Sequence, residues 1–229
     1  MKIKTQVEDL GDVVINRRKG AKNIRLRVDG TGIVYLTLPW WAPKTAGLAF
    51  LHRHLAWLKE QQQDLNFYAK DGQNIGHAFE LKIIITEKTR TTFSLEEDIL
   101  AVYLPKNSKI SNSQEILKKQ ITKALKLKVL NDLIPRLNEL AGQHSLKYKE
   151  ANVKTLKSRW GSCSNSKKIT LNTYLAQLPN HLIDYVLLHE LMHTKHLHHG
   201  KDFWNDLTKV LPNTKELKVE LKKYRPHLF

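Results

Sequence analysis

His189 and His193 stand four residues apart in the run Y-V-L-L-H-E-L-M-H, with Glu190 between them. On a helix, positions four apart stack on one face, so the two imidazoles can converge on a single metal ion. Glu190 is offset by one residue. It lies beside such an ion without ligating it, where a carboxylate can take a proton from water held by the metal. Val186, Leu187, Leu188, Leu191 and Met192 surround these groups with apolar side chains. Burying imidazoles and a carboxylate there is costly without a partner, and a divalent cation supplies one.

A catalytic zinc takes three protein ligands and keeps a position open for water. His196, His198 and His199 are the nearby candidates for the third. His196 shares the helical face but lies seven residues beyond His189, about 10 Å along the axis, too far for both to bind one ion. It is expected to face solvent or substrate. If the helix ends near Leu197, either His198 or His199 can reach back, with Gly200 allowing the backbone to turn. The spacing is not that of a metzincin, because His196 stands where those enzymes carry glycine. A Met-turn is also excluded, since the only methionines are Met1 and Met192.

Four segments occur in close order: R-W-G-S-C-S, I-T-L-N-T-Y-L-A-Q-L-P, I-D-Y-V-L-L-H-E-L-M-H and H-G-K-D-F-W. Together, over residues 157 to 204, they resemble the YgjP-like metallopeptidases, relatives of the SprT-like zinc proteases. The resemblance implies a zincin-like α+β fold and a Zn(2+) cofactor. It assigns the third ligand to His199, the histidine of H-G-K-D-F-W, and makes Glu190 the general base. The family's tyrosine-and-glycine turn before its middle strand is replaced here by N-I-G-H-A-F-E-L, and the first hundred residues resemble the family only loosely.

Other residues around these motifs have possible roles. Arg159 suits a substrate carboxylate, a phosphate or a developing oxyanion, and equally suits a fork holding its own loop. Trp160 reads as a packing anchor, and Cys163 as part of a tight loop rather than a nucleophile. The strand K-I-T-L-N-T-Y-L directly precedes the histidine helix, so it is expected to border the cleft with Asn172 and Tyr174 facing substrate. Asp184 and Asp202 are candidates to orient ligand imidazoles, and equally suit the role of ordinary helix-end acids.

The elements that must position these groups come from periodicity. K-N-I-R-L-R-V-D-G and G-I-V-Y-L-T-L-P alternate around a turn at residues 29–32, a hairpin signal. F-E-L-K-I-I-I and D-I-L-A-V-Y-L-P read as later strands. Leu48, Leu51, Leu55, Leu58 and Leu65 recur at helical spacing after Pro43. A second long helix is predicted from Asn112, with Glu115 completing a capping box and Pro135 kinking or splitting it. A strand at Asn152 to Leu156 follows, and Asn180 is placed to cap the histidine helix. Strands followed by helices argue for an α+β fold. Turn-forming residues at 105–111 suggest a β-rich region over 1–108 and a metallopeptidase domain over 109–229. No internal repeat stands out.

Thirty-eight Lys and Arg against 22 Asp and Glu give a formal charge of +16 in 229 residues. That charge suits anionic partners, nucleotide or nucleic acid, or simply a solvated basic surface. N-R-R-K-G-A-K-N-I-R-L-R holds six cations and no acid, and Lys118, Lys119, Lys123, Lys126 and Lys128 fall on the second helix. Trp40 and Trp41 read as domain packing. The single cysteine excludes an internal disulfide, and no apolar run approaches the roughly 18 residues that span a bilayer, so a membrane partner is not expected. Cytoplasm is the compartment these features suggest.

Three functions are compatible with these residues. The first is a zinc-dependent peptidase acting on polypeptide. The second, which the family resemblance implies as an alternative, is a nucleoside triphosphate pyrophosphohydrolase using the same metal site, with Arg159 and its basic loop on the phosphates. The third, a nucleic-acid-binding module with a structural zinc, is the weakest, because it has no use for Glu190.

Overall fold

The computed structural model describes residues 2–8, 10–29, 33–63, 67–108 and 110–229. It divides into two compact units, Met1–Phe67 and Tyr68–Phe229. The turn cluster at 105–111 is therefore where a strand hands over to a helix inside the second unit.

The first unit holds β1 (Lys2–Val7), β2 (Gly11–Arg18), β3 (Arg25–Val28) and β4 (Val34–Pro39), then α1 (Lys44–Arg53) and α2 (Leu55–Gln63). The sheet order is β1-β2-β4-β3. The expected β3–β4 hairpin is present with Arg27 opposite Tyr35, although turn residues 30–32 lie outside the described residues, as does Leu65. Alternation decides the core: Val13, Ile15, Leu36 and Leu38 point to one face and pack with Leu51 and Leu58.

The second unit opens with β5 (Gln73–Ile75), β6 (Phe79–Thr86), β7 (Thr92–Glu96) and β8 (Ile99–Pro105), in the order β5-β6-β8-β7. F-E-L-K-I-I-I and D-I-L-A-V-Y-L-P are neighbours here, but parallel. α3 (Ile110–Lys128) begins two residues before Asn112, whose side chain lies outside the described residues. A π-helical turn, Val129–Leu133, separates it from α4 (Ile134–Gln143), so the helix divides just before Pro135. β9 (Glu150–Lys154), β10 (Gly161–Cys163) and β11 (Lys168–Asn172) form a third sheet, ordered β10-β11-β9. A 3₁₀ turn, Thr173–Gln177, leads to α5 (Asn180–Met192), α6 (Lys201–Val210) and α7 (Thr214–Leu221). The N-cap of α5 is Pro179 with no side-chain cap, and Asn180 is the first helical residue. Among the described residues, no helix is long and apolar enough to cross a membrane.

A repeat that residue identities conceal emerges in the topology. The first two sheets have the same strand order, the same parallel central pair and the same antiparallel flanks. Val13 opposite Val34 corresponds to Leu81 opposite Leu100, 68 and 66 residues further on. Buried Leu36 and Leu38 correspond to buried Val102 and Leu104, and α1 to α3. The expectation of no internal repeat is therefore corrected: apolar phase and register are retained while the other residues differ.

In the second unit, the β5–β6 turn docks on the 3₁₀ turn that precedes α5. Gly76 has φ +53°, and a Cβ there would lie 2.5 Å from the carbonyl oxygen of Gln177, so this turn requires glycine. The neighbouring His77 N–H donates to that carbonyl at 2.9 Å. The turn that departs from the family pattern is therefore a packed contact.

Candidate metal centre

α5 is apolar nearly all round, with Leu182, Ile183, Tyr185, Val186, Leu187, Leu188, Leu191 and Met192 buried. Burial of those residues fixes where His189 and Glu190 project. The helix stops at Met192, with His193 as its C-cap, five residues short of the expected end at Leu197. The early stop has a use. His193 Nδ1 lies 2.9 Å from the carbonyl oxygen of His196. A carbonyl only accepts, so Nδ1 carries the proton and Nε2 presents a lone pair.

The chain then returns His199 to the helix end. His199 Nε2 lies 3.0 Å from His189 Nε2 and 3.1 Å from His193 Nε2. Tetrahedral zinc with bonds of about 2.0–2.1 Å spaces its ligand nitrogens about 3.3 Å apart, so the triad is close to the required size. Gly200 is not the hinge expected: its φ of −73° is open to any residue, and a side chain there would meet nothing within 4 Å. His198 is not part of the cluster.

Aromatic side chains hold the imidazoles in place. Phe203 is fully buried at the base of α6, with its ring centroid 4.7 to 5.0 Å from all three imidazoles. Trp204 stacks on His199 at 5.6 Å, donates its indole N–H to the His199 carbonyl at 3.1 Å, and carries Lys218 at 4.0 Å over its ring. Burial, and then the neighbouring imidazoles, push His189 down to about 3, so at neutral pH its ring is uncharged and able to ligate. Burial also lowers His199.

Glu190 is 6% exposed, and its Oε2, like His189 Nδ1, is buried without a hydrogen-bond partner. Desolvation pushes its carboxyl up to about 8, with Arg159 pulling the other way. Two lone-pair-bearing imidazoles, a third beside them and an unpaired buried carboxyl make a donor set suited to a divalent cation, which would also stabilise the ionised glutamate.

β10 runs alongside Glu190. Gly161 leaves the room that the Glu190 side chain occupies: a Cβ there would come within 2.7 Å of Glu190 Cγ and 2.8 Å of Oε1, so any side chain displaces the carboxylate. Arg159, Trp160, Gly161, Tyr185, Val186, His189, Glu190 and Leu221 line a pocket of about 220 Å³ beside the triad. Its walls are mainly apolar, with one cation.

Two of the residues expected to contact substrate lie elsewhere. Asn172 has no exposed surface; its side chain accepts from the N–H groups of Leu156 and Tyr174 and donates to the carbonyls of Leu156 and Arg159. It latches the loop that carries Arg159. Tyr174 is half-buried in the 3₁₀ turn, where burial raises its pKa and a hydrogen bond joins it to Thr122. Asn172 departs because β11 is the central strand of its sheet, with β10 at the edge beside Glu190. Tyr174 departs because the strand ends at Asn172 and the 3₁₀ turn carries its ring to Thr122. Cys163 ends β10 as a half-buried free thiol, pushed up by burial and by Glu190. Trp160 is buried and serves as a pocket wall as well as an anchor.

The acids also divide differently from expectation. Asp184 is held by Arg136 in a two-bond pair at 2.9 and 2.7 Å, tying α4 to α5, and does not reach an imidazole. Asp202 sits in the first turn of α6. Asp206, missed in the sequence, accepts from Lys195, Lys209 and His196, which holds its pKa well below the carboxylate range. His196 is thereby pinned to α6 rather than aimed at substrate. A helical i, i+4 search could not find Asp206, because the contact crosses a turn.

The family model described as YgjP-like, metallopeptidase domain, matches residues 22–224. Two solved structures are similar to a smaller part. One is the metallopeptidase zymogen of Pyrococcus abyssi abylysin, at 24% identity over 41% of this chain and 95% of that one, with a TM-score of 0.36. The other is the metallopeptidase zymogen of Methanocaldococcus jannaschii jannalysin, at 25% identity over 41% and 96%, with a TM-score of 0.37. No curated protein matches the chain.

Proposed function

The chain belongs to the YgjP-like metallopeptidase family, and from that premise we propose that it is a zinc-dependent endopeptidase with a zincin-like centre. His189, His193 and His199 hold the Zn(2+), and Glu190 is the general base. The observation that carries the reading is the meeting of three imidazole Nε2 atoms beside a buried carboxylate that has one oxygen unpaired. Zinc bound there would polarise the scissile carbonyl and acidify the attacking water.

The remaining steps fall to the chain's own residues. Glu190 accepts the proton of that water and returns it to the leaving amine, while burial keeps competing water from its carboxylate. Arg159, at the mouth of the pocket, faces the charge that develops on the carbonyl oxygen. The unpaired edge of β10 accepts an extended polypeptide in strand pairing, which places the peptide beside Glu190. The apolar pocket takes one of its side chains. Those walls favour an apolar side chain of a polypeptide, with Arg159 the one cationic side chain among them.

The test uses zinc-loaded protein with an unfolded polypeptide and, in parallel, nucleoside triphosphates. Glu190→Gln keeps the size of glutamate but accepts no proton at neutral pH. It should retain zinc while losing about 10²- to 10⁴-fold in polypeptide hydrolysis. Cleavage of triphosphate alone would sink the peptidase reading.

A further inference from the structure

We propose that the first unit binds single-stranded nucleic acid on the open face of its sheet and on the Trp40–Trp41 turn at the end of β4. α1 and α2 pack on the face that carries Val13, Ile15, Leu36 and Leu38. Alternation therefore turns Asn16, Arg18, Arg25, Arg27, Tyr35 and Thr37 to the opposite face. Cross-strand register brings them together, with Arg25 and Asn16 both opposite Thr37, Arg27 opposite Tyr35 and Arg18 opposite Pro39. The Arg27 guanidinium lies 4.7 Å over the Tyr35 ring. Immediately beyond Pro39, Trp40 is 60% and Trp41 65% exposed, so neither packs as a core residue.

Charge is polarised along the same strands. Arg17, Arg18, Lys19, Lys22 and Arg25 gather at the end where β4 finishes, all exposed, and among the described residues none of them has an acidic partner. Asp12 and Asp29 sit at the opposite end, roughly 17 Å away at about 3.3 Å per residue, and Asp12 is already paired with Lys4.

The second copy of the fold shows which of these residues the architecture needs. Where the first copy has Pro39-Trp40-Trp41, the second has Pro105-Lys106-Asn107 after the equivalent strand. Arg17 and Arg18 correspond to Ile85 and Thr86, Arg25 and Arg27 to Thr92 and Ser94, and Tyr35 to Ala101. The sheet closes with the same order and register without the tryptophans or the arginines, and its outward tyrosine, Tyr103, stands instead at the position of Thr37, with Lys88 5.2 Å over its ring. The presence of the tryptophans and arginines in the first copy is therefore not a folding requirement.

Cations to meet phosphates and exposed rings to meet base faces are what a single strand needs. A duplex keeps its base faces stacked internally and would engage only the cations. A lipid surface would engage the tryptophans but not Tyr35, Asn16 and Thr37 on the pleated face.

The test measures binding of the full zinc-loaded chain to fluorescent oligothymidylate, oligouridylate, a short duplex and phosphatidylserine vesicles, at about 50 and about 200 mM salt. Single strands should bind, more weakly at the higher salt, and the preferred oligonucleotide identifies whether DNA or RNA is recognised. Replacing both Trp40 and Trp41 with Ala should lower single-strand affinity about tenfold or more with the salt slope unchanged. Replacing both Arg18 and Arg25 with Ala should make the log–log salt slope shallower by about 1.4. Thermal unfolding and zinc content should match wild type in both variants, since all four side chains are exposed. The proposal is overturned by no single-strand binding at the lower salt, by equal affinity for duplex, by unchanged affinity after loss of the tryptophans, or by tryptophan-dependent binding to vesicles alone. None of these readouts depends on peptide hydrolysis.

Discussion

Gly161→Ala isolates the placement of the general base from the binding of the metal. The added Cβ would sit 2.7 Å from Glu190 Cγ and 3.0 Å from Cδ, where carbons settle at about 3.5–4.0 Å. Something must move by about 0.5–1 Å. α5 cannot readily retreat, because Leu187, Leu188 and Leu191 around Glu190 are themselves buried. The β10 backbone is held by pairing to β11 with Gly161 opposite Leu171. The carboxylate is the part free to swing. A misplacement of about 1 Å costs about 10²-fold in rate, or about 2.7 kcal/mol of transition-state stabilisation at 1.36 per tenfold.

The substitution should not harm the fold. Gly161 does not occupy the left-handed region, and replacing such a glycine removes unfolded-state entropy worth about 0.4–1 kcal/mol. The assay is kcat/KM on an unfolded polypeptide, alongside zinc content and denaturant unfolding. The variant should keep its zinc and stability and lose about 10²-fold in activity. Added to Glu190→Gln, it should cost almost nothing further, since both act through the same carboxylate. Activity within about threefold of wild type would refute the reasoning, as would a full second loss in the double variant.

Other perturbations separate the remaining roles. His199→Ala should lower zinc content far more than His196→Ala or His198→Ala, measured on the purified variants, because only His199 joins the Nε2 cluster; equal loss from His198→Ala would show the wrong imidazole was chosen. Asn172→Ala leaves backbone groups of Leu156, Arg159 and Tyr174 without their partner, so denaturant unfolding should show a loss of about 2–4 kcal/mol. In chelator-treated protein the Glu190 carboxyl, raised from 4.5 to about 8 by burial, contributes stability that is complete below pH 4.5 and is lost as pH rises through 8. His189, lowered from 6.5 to about 3, contributes stability present above pH 6.5 and lost as pH falls toward 3. Unfolding of the metal-free chain should therefore be flattest between about pH 4.5 and 6.5, and Glu190→Gln should stabilise it at pH 8 by roughly 3–5 kcal/mol; no gain at that pH would mean Glu190 is ionised at little cost.

What the sequence made legible follows from which constraints are local. The alternation of β4 and β8 was readable because a strand with one buried face repeats every second residue, and Val34, Leu36 and Leu38 are buried as that pattern requires. The spacing of His189 and His193 was readable because positions four apart share one face of a helix. The end of α5 was not, because Thr194 to Leu197 contains neither glycine nor proline and the break is made by a side-chain bond from His193 to the His196 carbonyl. Which strand borders Glu190 was not legible either. β11 has the length and alternation of a strand, whereas β10 has three residues, and position within a sheet is set by pairing partners remote in the chain.

Trp40 and Trp41 failed for a related reason: side-by-side aromatics look like core, but their exposure depends on how a turn leaves its strand. The two copies of the sheet sharpen this point. Between them, register and buried apolar positions persist while outward residues differ, so burial alone is what the fold demands of its sequence. Residues that differ between copies yet sit in an organised array are free of that demand. In the first copy those are cations and exposed rings; at the same turn of the second they are Lys106 and Asn107. An architecture that tolerates either set leaves the choice to what each unit contacts. That is why the first unit's aromatic and cationic face is better explained by a ligand than by stability.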